Sequence, residues 1–261
     1  MEKLFEYYLE NDNLHFKYAK GEPALKEQEF HDYNEFVFFI KGDALFISKS
    51  IRQKLTPETV ILIPKENFHQ FCVNTPESYI RCILGFRDTD GLGGLAGEVM
   101  NAVKVLSHPD KKIISVFNDL IEIAKSELPT KEKELYVHAS LIQLLIFLKT
   151  NPFKEINGDT NLSPVVSRAL AIIDERYTEN LSVKAIAELL YISPSTLSHK
   201  FSRELNISIY RYITKKRLAV AHKLIQNGES MADAAFKSGF CDYSCFYRLY
   251  KKYYEKENAH L

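Results

Sequence analysis

Two short amphipathic segments near the carboxyl end of the chain carry side chains that can hydrogen-bond a DNA duplex. With about 100° between successive helical residues, one polar face of each segment lies opposite its apolar stripe. The first face combines hydroxyl, imidazole and guanidinium groups, from Ser195, Thr196, Ser198, His199, Ser202 and Arg203. The second combines phenol, hydroxyl, guanidinium and ammonium groups, from Tyr243, Ser244, Tyr247, Arg248, Lys251 and Lys252.

These residue types suit both kinds of DNA contact. A guanidinium group can bond the edge of guanine with two donors, whereas Ser and His side chains offer single hydrogen bonds. An ammonium group is a strongly hydrated point charge, so Lys251 and Lys252 are expected at phosphates. The alternative for each of these residues is an ordinary solvated position on a protein surface.

The charge of the chain is divided unevenly in a way that agrees with a nucleic-acid partner. The chain has 34 Lys and Arg residues against 34 Asp and Glu residues. Residues 181–254 hold 12 basic and 5 acidic side chains, a net of +7, which leaves 22 against 29, a net of −7, for the rest. A basic carboxyl-terminal third beside an acidic remainder predicts a phosphate-facing module attached to something else, or simply a basic solvated face.

Composition excludes several other classes of protein. The chain has 261 residues, of which 46% are hydrophobic, so it is not a disordered polymer and can form one large or two ordinary domains. No apolar run approaches the roughly 18 residues of a membrane span, and the acidic start, MEKLFEYYLENDN, does not resemble a signal peptide. We therefore expect a cytoplasmic protein without a membrane partner. Its cysteines are expected to be reduced thiols: Cys72, Cys82, Cys241 and Cys245.

The first half of the chain changes from strand to helix patterns. Short β-rich runs at 36–40, 44–47, 60–63 and 79–84 predict an all-β sandwich or barrel. Glycines at 91, 93, 94 and 97 mark a flexible boundary. Apolar residues then recur at spacings of three and four over 113–124 and 135–148, which predicts two helices. The wide apolar face of the second helix predicts a homodimer contact, with packing against the first helix as the alternative.

From residue 163 onward the same helical layout occurs twice. Ser163, Ser182 and Asp242 are predicted N-caps, and Pro194 opens a helix after a tight turn. Two short helices joined by a turn of three or four residues form a helix-turn-helix unit. A helix over about 208–226 separates the two units and, at about 1.5 Å per residue, is about 28 Å long. The two second helices can therefore enter successive major grooves, which are about 34 Å apart.

The motifs of this region match a known pattern at many spaced positions. Residues 193–201 read SPSTLSHKF, residues 239–251 read GFCDYSCFYRLYK, and the helix between them carries Tyr210, Arg217, Ala221 and Leu224. On these motifs the carboxyl-terminal part resembles the AraC/XylS family of bacterial transcription regulators. The resemblance implies double-stranded DNA and RNA polymerase as partners. It places base-reading positions at Ser195, Ser198, His199, Tyr243, Ser244, Tyr247 and Arg248.

Four departures from the family pattern concern the two units. His199 stands where the family usually has Arg, Asn206 replaces a glycine, and Ala234 replaces an isoleucine. Residues 255–258, EKEN, replace the closing G-x-T-P. Asn206 can still adopt the left-handed conformation that the glycine would supply. We therefore expect the first unit to bind DNA more weakly or to read a different base.

The amino-terminal part resembles the cupin-like effector domain common in that family. Residues 29–35, EFHDYNE, precede Gly42, and residues 64–69 read PKENFH. The resemblance implies a barrel with an effector pocket lined by His31, Glu35, Phe36, Phe38, Phe46, His69 and Phe71. Glu29, His31, Glu35 and His69 would suit Mn, Fe or Ni. Regulators of this family usually lack a metal there, so no cofactor and no catalytic residue is predicted, and the metal stays an open alternative.

The expected fold is α+β: a cupin-like β-barrel with trailing helices, then an all-α DNA-binding domain. The expected divisions are an effector domain over 1–92, a dimerising helical segment over 93–150, a linker over 151–162 and the double helix-turn-helix over 163–261. The predicted function is an effector-responsive transcription regulator and not an enzyme. The alternatives are a cupin-type metalloenzyme fused to a helical domain and a ligand-independent activator.

Overall fold

The computed structural model describes residues 5–11, 13–21, 29–48, 51–88, 92, 94–151 and 162–255. It divides the chain into two compact units, Met1–Asn161 and Leu162–Leu261, called here the amino-terminal and carboxyl-terminal units. In the described part of the chain, no helix is both long and apolar enough to cross a membrane. Most of the predicted linker, 152–161, and the predicted boundary at 89–91 and 93 lie outside the described residues.

The amino-terminal unit contains two antiparallel sheets. The strands are β1 (Phe5–Asn11), β2 (Leu14–Lys20), β3 (Asn34–Lys41), β4 (Ala44–Ser48), β5 (Arg52–Lys54), β6 (Thr59–Ile63), β7 (His69–Val73), β8 (Ile80–Phe86) and β9 (Lys104–Leu106). Six strands pair in the order β1-β2-β8-β3-β6-β9, and three in the order β5-β4-β7. The four strands predicted from β-rich runs are confirmed as β3, β4, β6 and β8. Among the described residues, the pairing gives two sheets and no closed barrel.

Strand β3 separates two hydrophobic cores, because successive side chains of a strand point to opposite faces. Phe36 and Phe38 belong to one core, and the ring of Phe38 stacks on Phe117, with 5.0 Å between ring centroids. Val37 and Phe39 belong to the other core, which includes Phe46 and Phe71 of the smaller sheet. The two phenylalanines expected to share a pocket with Phe46 and Phe71 therefore lie on the opposite face of the sheet.

Three helices of the amino-terminal unit accompany the larger sheet. They are α1 (Leu95–Val99), α2 (Lys111–Lys125) and α3 (Thr130–Thr150), so the two predicted helices are confirmed. Helix α2 begins at Asp110, whose carboxylate accepts the backbone N–H of Lys112. Helix α3 buries one face in the same core as Phe36 and Phe117, through Val137, Leu141, Leu144, Leu145 and Leu148.

The described part of the carboxyl-terminal unit, residues 162–255, forms six helices and a closing turn. They are α4 (Pro164–Arg176), α5 (Val183–Leu189), α6 (Pro194–Leu205), α7 (Ile209–Gln226), α8 (Met231–Lys237), α9 (Tyr243–Tyr250) and a π-helical turn, Lys251–Glu255. Each helix has an N-cap side chain that accepts a backbone N–H, from Ser163, Ser182, Ser193, Ser208, Ser230 and Asp242. The three predicted caps and the helix start at Pro194 are therefore confirmed.

Candidate nucleic-acid interface and inter-sheet cluster

Helix α6 forms the second helix of the first helix-turn-helix unit. Leu197, Phe201 and Leu205 are fully buried, and the ring of Phe201 meets Tyr212 of α7 edge-on. This packing turns the polar face of α6 outward. On that face Ser195, Thr196, His199 and Arg203 are exposed and Ser198 is half-buried.

A hydroxyl network surrounds the start of α6. The Ser193 hydroxyl accepts the backbone N–H of Thr196 and lies 3.0 Å from the Ser195 hydroxyl and 2.8 Å from the Thr196 hydroxyl. These contacts orient two predicted DNA-binding hydroxyls at the helix end that carries unpaired N–H groups. An anion is stabilised at such an end by the helix dipole.

Helix α9 forms the corresponding helix of the second unit. Phe246 and Tyr250 are buried, whereas the predicted residues Tyr243, Ser244, Tyr247 and Arg248 are exposed. The rings of Tyr243 and Tyr247 stack with 6.0 Å between their centroids. The outward face thus carries a guanidinium group beside two stacked phenol rings.

Lys251 and Lys252 lie just beyond α9, in the π-helical turn. Both are exposed, and the Lys251 ammonium group lies 5.0 Å from the centre of the Tyr247 ring. A π-helical turn contains more residues than the roughly 3.6 of an α-helical turn. The two lysines therefore point in directions that differ from those expected for a continuous α-helix.

The turns of the two units share one hydrogen-bond pattern but differ in side chain. Tyr191 in the first turn has φ 55°, and Gly239 in the second has φ 95°. The residue after each turn donates its N–H to a buried alanine, Ile192 to Ala187 and Phe240 to Ala235. The side chain of Tyr191 is 95% exposed. The first turn therefore accommodates a side chain where the second has glycine.

Gly239 packs directly against the loop that follows α4. A Cβ atom at this position would lie 2.7 Å from the Cα of Thr178 and 2.9 Å from its carbonyl oxygen. The same loop accepts hydrogen bonds from Arg217 of α7, at 2.7 Å to the carbonyl oxygens of both Tyr177 and Glu179. The second unit is thus held to α4 and α7 by a contact that has no room for a side chain.

The amino-terminal unit contains a buried cluster of two imidazoles and a carboxylate. Nε2 of His31 lies 3.2 Å, and Nε2 of His69 lies 3.5 Å, from Oε2 of Glu35. One ligand atom from each residue lies within 4.8 Å of the others. The side chains are 8%, 0% and 5% exposed for His31, His69 and Glu35. We call these three residues the inter-sheet cluster.

The groups of the inter-sheet cluster shift each other's pKa values. Burial would raise the pKa of the Glu35 carboxyl, but the hydrogen bond and charge of His31 lower it to about 2. Burial would lower the pKa of His31, and Glu35 raises it above its usual value instead. Burial and then His31 lower the pKa of His69 to about 4. Burial and then Glu35 raise the pKa of Glu29 to about 7.

The structure brings together only part of the predicted effector pocket. Phe46 and Phe71 both face His69, with ring centroids 6.4 Å and 6.1 Å from it. Glu29 joins His69 through two backbone hydrogen bonds. Phe36 and Phe38 point away into the helix-covered core, and their assignment to the same interior as Phe46 is corrected. The prediction placed Glu35 and Phe36 in the same pocket. Neighbouring residues of a strand, however, point to opposite faces of the sheet.

Sequence reasoning also missed two residues that position the cluster. The ring of Tyr33 stacks on His31 at 4.0 Å between centroids, and the Asn34 amide oxygen accepts the backbone N–H of Lys65. Both residues belong to the 29–35 motif, so the motif itself could have indicated them. The prediction was limited to the His and carboxylate residues of the motif, because only those side chains are common ligands or proton carriers.

Comparisons with known proteins give a matching family model, curated relatives and solved structures. A family model described as a helix-turn-helix domain matches residues 186–257. The HTH-type transcriptional activator RhaS of Escherichia coli is 24% identical over 248 residues, covering 88% of this chain and 87% of RhaS. The Msm operon regulatory protein of Streptococcus mutans is 27% identical over 232 residues, covering 84% and 80%. The structure of apo ToxT from Vibrio cholerae aligns over 94% of each chain, with 15% identity and a TM-score of 0.42.

Proposed function

Because this chain belongs to the AraC/XylS family and is therefore a DNA-binding transcription regulator, we propose that α6 and α9 read its operator. The observation that carries the proposal is the repeated arrangement: two capped helices, each with a buried apolar stripe and an exposed polar face. The curated relatives are regulators, and no catalytic role is assigned to any residue. Because RhaS is named a transcriptional activator, we propose that this chain also activates transcription. It would do so through contact with RNA polymerase.

The proposed base contacts divide between the two helices. On α6 they are Ser195, Thr196, Ser198, His199 and Arg203, and on α9 they are Tyr243, Ser244, Tyr247 and Arg248. Lys251 and Lys252 would contact phosphates beyond α9. Helix α7 connects the two units and, with 18 residues, is about 27 Å long, compared with about 34 Å between successive major grooves.

We expect the affinity for DNA to fall steeply with salt. Residues 181–254 carry a net +7, and each neutralised phosphate contributes about −0.9 to the slope of log affinity against log salt concentration. The measurement is fluorescence anisotropy of labelled duplex DNA with the full chain at several salt concentrations. Lys251→Ala should make the slope shallower by about one phosphate. A slope near zero for the unchanged chain would reject the DNA interface.

We further propose that the amino-terminal unit holds a small-molecule effector in a cupin-like arrangement of its two sheets. Support comes from buried polar groups of the inter-sheet cluster, which lie beside the aromatic rings of Phe46 and Phe71. A few convergent polar groups within an apolar surround are typical of ligand sites. Thermal-shift screening against metabolites tests this proposal, because a ligand that binds only the folded state raises its stability. A chain that no metabolite stabilises would favour the ligand-independent activator.

The segment 93–150 is proposed to dimerise through the outer face of α3. Leu141, Leu144, Leu145 and Leu148, which motivated this proposal in the sequence, are buried within their own unit, so their assignment to the dimer contact is corrected. The outer face presents other apolar residues at spacings of four and seven: Leu135, Ala139 and Ile146, which are exposed. Ile142 lies between them in the sequence but is half-buried against the core of its own unit. Leu135 is 63% and Ile146 is 50% exposed. Such spacing suits packing against a second helix.

A double charge on this face should prevent dimerisation. We expect the unchanged chain to scatter light as a dimer at tens of micromolar, and Leu135→Lys with Ile146→Lys to give a monomer, because ammonium groups resist burial. Gln143→Lys, at an exposed position off this stripe, is the control and should remain a dimer. An unchanged chain that is monomeric with and without DNA contradicts the proposal.

A further inference from the structure

We propose that His222 of α7 is a positioning residue for DNA binding, which holds the π-helical turn so that Lys251 and Lys252 face the phosphates. His222 itself would not touch DNA and would act only through the turn. The inference rests on the proposed function, because it assumes that the two lysines contact phosphates. It adds to that function a residue that neither the helix-turn-helix motifs nor the charge pattern indicates.

The ring of His222 meets two tyrosines, one at the end of α9 and one in the π-helical turn. It lies parallel to the ring of Tyr254, with 4.0 Å between the centroids and 2° between the planes. Its centroid lies 5.7 Å from that of Tyr250, and the rings of Tyr250 and Tyr254 lie 5.0 Å apart. These three residues, called here the closing cluster, join α7 to α9 and to the turn.

Hydrogen bonds fix the orientation of the His222 ring within the closing cluster. Its Nε2 lies 3.1 Å from the amide nitrogen of Gln226, which can only donate, so Nε2 accepts. In the neutral ring the hydrogen is then on Nδ1, which donates to the hydroxyl oxygen of Tyr250 at 2.7 Å. Both ring nitrogens are thus engaged, and the plane of the ring is set before any DNA binds.

A second contact from α7 holds the neighbouring residue of the turn. The Lys215 ammonium group lies 5.6 Å from the centre of the Tyr253 ring, and Lys215 is buried. A cation over an aromatic face is attracted to it, more strongly where water is excluded. Lys215 and His222 are seven residues apart, about two helical turns, so they lie on the same face of α7. The turn is therefore attached to that face at two points.

The two lysines lie between the attached residues of the chain. Tyr250 precedes them and Tyr253 follows them, and both tyrosines pack in the same hydrophobic core. The ammonium groups of Lys251 and Lys252 lie 5.0 Å and 5.9 Å from the ring centres of Tyr247 and Tyr253. Both lysines are exposed. The backbone is thus fixed on either side of two charged groups that reach solvent.

A turn that is ordered before binding favours the phosphate contacts. Ordering a mobile segment during association subtracts from affinity, and a turn held by the closing cluster avoids that cost. A neutral imidazole carries no net charge. Loss of His222 should therefore remove lysine–phosphate contacts although the charge of the protein stays the same.

The test is the salt dependence of DNA affinity, measured by fluorescence anisotropy with the full chain and one labelled duplex. We expect His222→Ala to make the slope of log affinity against log salt shallower by about 0.9–1.8, the loss of one or two phosphate contacts. Lys251→Ala with Lys252→Ala should give the same decrease, and adding His222→Ala should not change it further. His138→Ala, at an exposed position of the amino-terminal unit, is the control and should keep the full slope.

Tyr254 provides a second pair of variants if His222→Ala does not fold. Tyr254→Ala removes the ring that lies on His222 and should lower the slope, whereas Tyr254→Phe retains that ring and should keep it. Circular dichroism shows whether each variant is folded. Without DNA, hydrogen–deuterium exchange over 251–255 should rise in both alanine variants, because the turn is released.

The outcomes separate this inference from the proposed function. A slope near zero for the unchanged chain rejects the DNA interface, and the inference with it. If the lysine variant lowers the slope but the folded His222→Ala and Tyr254→Ala variants keep it, DNA binding stands and the role of His222 is rejected. A lysine variant that keeps the full slope also overturns the inference, because the turn would then make no phosphate contacts.

Discussion

Gly239→Ala is expected to destabilise the carboxyl-terminal unit by about 2–6 kcal/mol and to abolish DNA binding. A residue with a side chain at φ 95° is strained by about 1–3 kcal/mol, and forcing its Cβ into a packed site adds about 1–3 kcal/mol. The new methyl group would meet the backbone of Thr178 at 2.7 Å, which a side-chain rotation cannot relieve. The loop would have to separate from α9, and the second reading helix would lose its position.

Gly228→Ala is a matched control for this prediction. Gly228 has nearly the same φ, 92°, but a Cβ built there has no atom within 4 Å. Its substitution should therefore cost only the same backbone strain, about 1–3 kcal/mol. Urea unfolding of the full chain by circular dichroism and binding to duplex DNA by anisotropy measure both effects. Equal losses for the two variants would show that the contact with Thr178 is not what requires glycine.

Arg248→Ala is expected to cost about 1–3 kcal/mol of DNA-binding free energy and to relax specificity at one base pair. The side chain of Arg248 is exposed on α9, and a guanidinium group can bond guanine through two donors. His199→Ala on α6 should cost less, because an imidazole ring offers fewer hydrogen bonds to a base edge than the five N–H donors of a guanidinium group. The second unit would then be the main reader of sequence.

The comparison of Arg248 with His199 requires an operator, which selection from a random DNA pool with the unchanged chain would supply. Affinities for that sequence and for its single-base variants then distinguish base contacts from phosphate contacts. Lys251→Ala is the control, since a phosphate contact weakens binding uniformly across sequences. If His199→Ala is the more damaging change, the assignment of α9 as the main reader is wrong.

Helix boundaries in the carboxyl-terminal unit were predictable because their signals are local. Ser163, Ser182 and Asp242 cap the helices that the sequence predicted for them, and α7 (Ile209–Gln226) agrees with the helix predicted over about 208–226. Asn206 adopts the left-handed conformation, φ 54°, that its substitution for glycine required. Caps, prolines and left-handed residues act within a few positions of the chain, so one sequence is enough to find them.

Much of the amino-terminal unit was less predictable, because its strands are stabilised by distant partners. Strand β5 reads RQK and β7 reads HQFCV, and neither has the apolar run that predicts a strand by itself. Strand β2 does alternate, through Leu14, Phe16 and Tyr18, and that period-two signal was missed. The 29–35 and 64–69 motifs located the inter-sheet cluster, but no local rule gave its distances or separated Phe36 from Phe46.

The order of the six-stranded sheet has a consequence for biosynthesis. Strand β8 (Ile80–Phe86) lies between β2 (Leu14–Lys20) and β3 (Asn34–Lys41), so both earlier strands have an unpaired edge until β8 leaves the ribosome. At about 5–20 residues per second, β2 waits roughly 3–13 s for this partner. Exposed strand edges pair readily with other chains. During these seconds the open edges of β2 and β3 are available for pairing with a neighbouring nascent chain.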